Sequence, residues 1–147
     1  MSRRLLLYAL LLAVYPLCAG CGSGEPFDYV PVKGKVTWED GTPIKEAPWV
    51  EVTFYSQTPP KDPKINPRPG IAKADPNDGT FKNATSHKVD DGIVPGPHKV
   101  TITTFDNGHG QIKGIVPPEY EDQTTTPLTF DTTKDKEAVF KIPKPMK

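Results

Sequence analysis

Few side chains in this chain could do chemistry, and their spacing limits what that chemistry would be. Three histidines, His87, His98 and His109, stand far apart, with no His-x-His or His-Glu-x-x-His pair to bring imidazoles to one metal. Ser86 and His87 are sequence neighbours. A catalytic nucleophile instead needs a base facing it and an orienting acid, and no Gly-x-Ser-x-Gly turn is present. Asp75-x-Asn77-Asp78-Gly79 carries oxygen donors suited to calcium, but it is short for a calcium loop and lacks a distal bidentate Glu, so a turn is expected there. Among the 18 acidic residues no spacing singles out an acid–base pair. Trp38, Trp49, Tyr55 and Tyr120 could stack on sugars. Trp38 lies on an apolar parity and is expected in the core, which leaves Trp49 and Tyr55 as the surface candidates. His98, at inward parity beside Val100, is expected to cap the core edge with its polar tip hydrogen-bonded. His109, between Gly108 and Gly110, is expected to be exposed and uncommitted. No catalytic residue, metal site or cofactor is expected.

Cys21 is different because of what precedes it. Arg3 and Arg4 form a basic start, and Leu5 to Leu17 is a run of thirteen apolar-dominated residues. That length suits the core of an export signal and falls short of the roughly 20 residues a membrane span requires. Small residues, Ala19 and Gly20, then offer a peptidase a site that long side chains would block. The stretch Leu17-Cys18-Ala19-Gly20-Cys21 resembles a bacterial lipobox, with Cys18 standing where Leu is usual and Leu17 one place earlier. The resemblance implies removal of residues 1–20 as a lipoprotein signal peptide and acylation of Cys21 with palmitate-type chains. Gly22 resembles the signals that do not retain a lipoprotein at the inner membrane. Residues 21–29, opening Gly22-Ser23-Gly24, then read as a flexible tether. The expected location is the bacterial cell envelope, lipid-anchored to a membrane with the domain facing the periplasm or the cell exterior.

The elements that must carry any function lie beyond the tether. From Cys21 onward 127 residues remain, the size of one domain, and Cys21 is their only cysteine. A disulfide framework, a cysteine metal site and a cysteine nucleophile are therefore excluded. Without Arg3 and Arg4, 16 basic residues face 18 acidic ones, interspersed, so nucleic-acid binding has no electrostatic footing. Eighteen prolines and twelve glycines interrupt the chain too often for long helices and favour short strands joined by turns. Alternation predicts strands over 32–38, 50–55, 71–74, 80–84, 98–105, around Leu128 and Phe130, and over 138–142. The strands at 71–74 and 80–84 read as a hairpin across Asp75–Gly79. Five prolines between Gln57 and Gly70 predict an extended loop outside any sheet. No internal repeat is found, no helix is expected after the signal, and the lysine-rich end from Pro143 reads as a fraying terminus.

These strands and turns occur in a familiar order. Val32-x-Gly34-x-Val36, Asp40-Gly41-x-Pro43, Val50-x-Val52-x-Phe54, Asp78-Gly79-x-Phe81 and Pro95-Gly96-x-His98-x-Val100 together resemble a carboxypeptidase regulatory-like (transthyretin-like) domain. In that family His98 would more often be Tyr. Val116-Pro117-Pro118-Glu119-Tyr120 and Thr125-Thr126-Pro127-Leu128 resemble blocks of planctomycete envelope lipoproteins. Across residues 30–142 the resemblance implies an all-β fold, a single seven-stranded Greek-key β-sandwich after an N-terminal signal helix, with residues 143–147 as a tail. It implies no activity, since the family name comes from a non-catalytic domain attached to peptidases. The expected role is structural or binding, not enzymatic, resting on the membrane anchor and on loops 57–70 and 106–118, with an envelope protein or glycan as partner. Two alternatives stand beside it: a carbohydrate- or peptide-binding accessory module, and a metal-dependent envelope enzyme.

Overall fold

A computed structural model describes residues 27–60 and 64–145. The expected signal helix and Cys21 lie outside the described residues. Among those described, seven strands form two sheets: β1 (Gly34–Trp38), β2 (Trp49–Ser56), β3 (Gly70–Ala74), β4 (Thr80–Phe81), β5 (Pro97–Phe105), β6 (Thr129–Asp131) and β7 (Ala138–Ile142). One sheet runs β4-β1-β7, with β1 antiparallel to β4 and parallel to β7. The other runs β3-β2-β5-β6 and is antiparallel throughout.

Period-two alternation forms these strands and aims them. Val50, Val52 and Phe54 are buried on one parity of β2, and Ala138, Phe140 and Ile142 on one parity of β7, while Val139 and Lys141 face out. The two inward faces share one core, and Phe54 sits at its centre. Its ring meets Phe130 of its own sheet at 5.8 Å, and Phe81 and Phe140 of the other sheet at 6.1 and 6.2 Å. These are edge-to-face or tilted contacts, which the ring quadrupole favours. Gly34 is required where β1 runs closest to β7, because a Cβ there would collide with the Ala138 carbonyl and the Phe81 ring.

Two expectations need correction. The predicted hairpin does reverse at Asp75–Gly79, closed by Asp75 N–H to Thr80 O at 2.8 Å and Gly79 N–H to Asp75 O at 2.7 Å. Its two arms nevertheless enter different sheets, β3 beside β2 and β4 beside β1, and only an isolated Ile71–Thr85 bridge joins them. A turn signal encodes the reversal and carries nothing about which neighbour each strand then pairs with. A helix is also present: α1 (Pro118–Glu121), a single turn with Pro118 at its start and Glu119 and Glu121 as its acidic residues. One turn is too short to show a helical period. Just after β7, Lys144 Nζ lies 2.7 Å from Asp40 Oδ2.

The loops gain order from a device used four times. In Asp40-x-Thr42, Asp78-x-Thr80, Asp122-x-Thr124 and Asp131-x-Thr133, one carboxylate oxygen accepts both the backbone N–H and the hydroxyl of the threonine, at 2.5–3.0 Å. These bonds hold the Asp78, Asp122 and Asp131 carboxyls below their ordinary range, and Lys144 adds to Thr42 at Asp40.

Strand direction sorts every connection to one of two ends. The segment leading into β1, and the β2–β3, β4–β5 and β6–β7 connections, lie at the end where β1 begins. The β1–β2 and β3–β4 connections, the loop leaving β5, and the segment after β7 lie at the other. They are called here the entry end and the far end, and the nine residues of β5 separate them by roughly 25–30 Å.

Phe54→Ala is expected to cost about 3–5 kcal/mol in denaturant unfolding, because it empties the contact between the sheets. The four aspartates stabilise the fold above the ordinary carboxylate range and lose that effect as pH falls through it. Unfolding midpoints measured against pH should therefore drop below about pH 4, with a shallower slope in Asp122→Asn.

Candidate functional site

At the far end, Trp49 opens β2 opposite Phe105, the last residue of β5, on the parity that faces away from the core. On the next strand Lys73 lies opposite Glu51, and its ammonium reaches back over the indole, 3.6 Å from the ring centroid. Burial pushes the Glu51 carboxyl up, and a hydrogen bond from the Thr53 hydroxyl at 3.4 Å opposes that. His109 approaches Trp49 from the loop after β5, with ring centroids 4.8 Å apart in an edge-to-face pair. That loop is cinched by Asp106, whose Oδ1 accepts the N–H groups of Gly108 and Gly110 at 2.8 and 2.7 Å. The cinched turn puts His109 at φ +66°, a left-handed conformation unusual for a residue other than glycine. His109 is thus exposed, as expected, but committed to Trp49. Trp49 Nε1 is buried and has no acceptor among the described residues.

At the entry end, His98 is 2% exposed and its Nδ1 lies 3.0 Å from the Gly96 carbonyl, with its ring 6.2 Å from Phe54. Burial drives its pKa down, against the Gly96 hydrogen bond and the charge of Asp131. Nearby, a cleft of about 180 Å³ is walled by Phe27, Asp28, Thr58, Pro59, Pro67, Val94 and Pro95. A larger cleft of about 420 Å³ runs beside β3 and β4, lined by Lys73, Asp75, Thr80, Lys82 and Asp90. Asp75 Oδ1 there already accepts the Asn77 N–H and side-chain amide at 2.8 and 2.9 Å, so this stretch works as a turn.

The sequence-derived candidates do not converge. His98 and His109 stand at opposite ends of β5, and among the described residues no group of three His, Cys, Asp or Glu is placed to hold a metal. The Ser86 hydroxyl donates to the Gly92 carbonyl at 2.7 Å, not to His87. Trp38 is buried at 2% exposure, with its Nε1–H donating to Glu46 Oε2 at 3.3 Å. Trp49 and Tyr55 share one face of β2 but lie six residues apart, roughly 20 Å, and Lys73 already covers the indole. The four aromatics therefore form no common sugar platform. Loops 57–70 and 106–118 lie at opposite ends of the fold and serve two surfaces, not one.

Three arrangements were missed in the sequence. Asp91 accepts three backbone N–H groups, from Ser86, His87 and Lys88, at 2.8, 2.9 and 2.7 Å. Burial works against its ionised form, yet these donors leave the carboxyl below its ordinary range. The repeated Asp-x-Thr spacing was legible as letters and could have been found. The Lys73–Trp49–His109 cluster joins three separate segments and had no local signal.

No family model matches the chain, and neither the curated proteins nor the solved structures searched gave a match.

A buried, neutral His98 leads to a pH prediction. With its pKa depressed, it contributes stability above the ordinary histidine value near 6.5 and loses it as pH falls below that. As pH falls below about 6.5 the unfolding free energy should fall, with a slope of at most about 1.4 kcal/mol per pH unit from this group. Denaturation series on the acid side of that value should be flatter in His98→Phe.

Proposed function

We propose that this chain is a lipid-anchored, non-enzymatic module of the bacterial cell envelope, with a structural or binding role. The observation that carries the reading is Leu17-Cys18-Ala19-Gly20-Cys21 at the close of a short apolar run, six residues ahead of Phe27, where the described body begins. Cys21 is the lipidated residue in this reading. Two or three acyl chains there would anchor it firmly, since each buried methylene contributes about 0.8 kcal/mol.

The module held at the membrane is read as a seven-stranded Greek-key β-sandwich of the transthyretin-like kind. Two sheets sharing the core around Phe54 support this. So does the position of the family-like blocks. Asp40-Gly41 lies in the connection after β1, Asp78-Gly79 immediately precedes β4, and Pro95-Gly96 immediately precedes β5. Turns at those places are what the resemblance requires of a planctomycete-type envelope lipoprotein. The partner is then an envelope protein or glycan met by the loops, with no nucleic acid involved.

Intact mass spectrometry of protein extracted from membranes tests the anchor. The expected species begins at Cys21 and carries acyl chains, and Cys21→Ser should shift the protein from the membrane to the soluble fraction. A soluble species starting elsewhere would overturn the reading.

A further inference from the structure

Two large apolar side chains are exposed in the connections of the entry end. Val89 is 83% exposed and Ile65 44% exposed, the one in the β4–β5 connection and the other in the β2–β3 connection. Between these connections and the incoming chain lies the cleft walled by Phe27, Pro59, Pro67 and Pro95. Val89 is not displayed by a loose loop. Its segment is tied by the three donors to Asp91, by Asp90 N–H to Thr85 Oγ1 at 3.1 Å, by the Asn83 amide to the Asp90 carbonyl, and by the Val30–Ile93 bridge. These ties fix the valine at the entry end, presented to whatever adjoins that end.

The length of chain ahead of this surface says which neighbour. Five residues, six Cα-to-Cα steps, separate Cys21 from Phe27, a span of at most about 20 Å when fully extended. An acylated Cys21 therefore keeps the entry end within about 20 Å of the lipid surface, and the far end lies roughly 25–30 Å from the entry end along the strands. Charge is not the driver. The described entry-end connections hold seven basic and five acidic side chains, a small basic excess.

We propose that the entry end docks onto the bilayer it is anchored to, with Val89 and Ile65 entering the headgroup–acyl boundary and the Trp49 end held outward. This rests on the anchoring reading, and the test separates the two. Val89→Cys and, as a far-end control, Lys45→Cys each add one free thiol to a mature chain whose only cysteine is acylated. Each full-length protein, with acylation verified by mass, is labelled with an environment-sensitive fluorophore. It is then placed in phosphatidylcholine vesicles containing a shallow spin-labelled lipid. Quenching at position 89 is expected to exceed that at position 45 by about threefold or more, and Ile65→Glu should bring the two closer together.

Equal quenching at both positions of an acylated protein would overturn the docking while leaving the anchor intact. So would an Ile65→Glu variant that leaves the difference unchanged. Crosslinking of position 89 between copies without lipid quenching would assign this face to a second copy and overturn the proposal. A chain without acyl groups would remove both readings.

Discussion

Phe54 is the contact on which the architecture depends. It is the middle of a chain of aromatic contacts that begins on β4 and β7 and ends on β6 and His98, so one ring joins both sheets. Much follows from having a large ring there. β1 lies between β4, which carries Phe81, and β7, which carries Phe140, and at position 34 the Phe81 ring and the Ala138 carbonyl leave room only for a glycine. His98 is excluded from water because it completes the same cluster, and its depressed basicity follows from that burial. The core of the domain and the titration of its buried histidine are one packing arrangement.

Around that centre, the loops are ordered by carboxylates. The Asp-x-Thr turns, the Asp106 cinch and the Asp91 cradle each bind backbone N–H groups that no ladder uses. A chain so rich in proline leaves many such donors outside its sheets, and aspartate is the short side chain that reaches them. Among the described residues Asp40, Asp75, Asp78, Asp91, Asp106, Asp122 and Asp131 are bound in this way, one by one, to the chain beside them.

Much of the fold was readable from local pattern. Alternation placed the strands within a few residues, since a half-buried strand must repeat every two residues; Val50, Val52 and Phe54 are the plainest case. Sheet membership was not readable for β3 and β4, because the turn joining them is silent about long-range partners. The single turn of α1 fell below any period. The Trp49 cluster was beyond local reading altogether, as Lys73 and His109 reach the indole from another strand and another loop. Trp49 was legible as unusual but not as covered.

The parallel pairing of the first and last strands has a mechanical consequence. β1 starts at the entry end and β7 finishes at the far end, and the two are joined in register from Gly34–Ala138 to Trp38–Ile142. Bonds from Ala138 N–H to the Lys33 carbonyl and from Glu39 N–H to the Ile142 carbonyl extend the ladder at both ends. Tension applied between the chain entering β1 and the chain leaving β7 pulls along the strand axes. The ladder then bears the force in shear, with its bonds loaded together instead of opened one after another. A body held at one terminus and tugged from the other would resist through its strongest geometry.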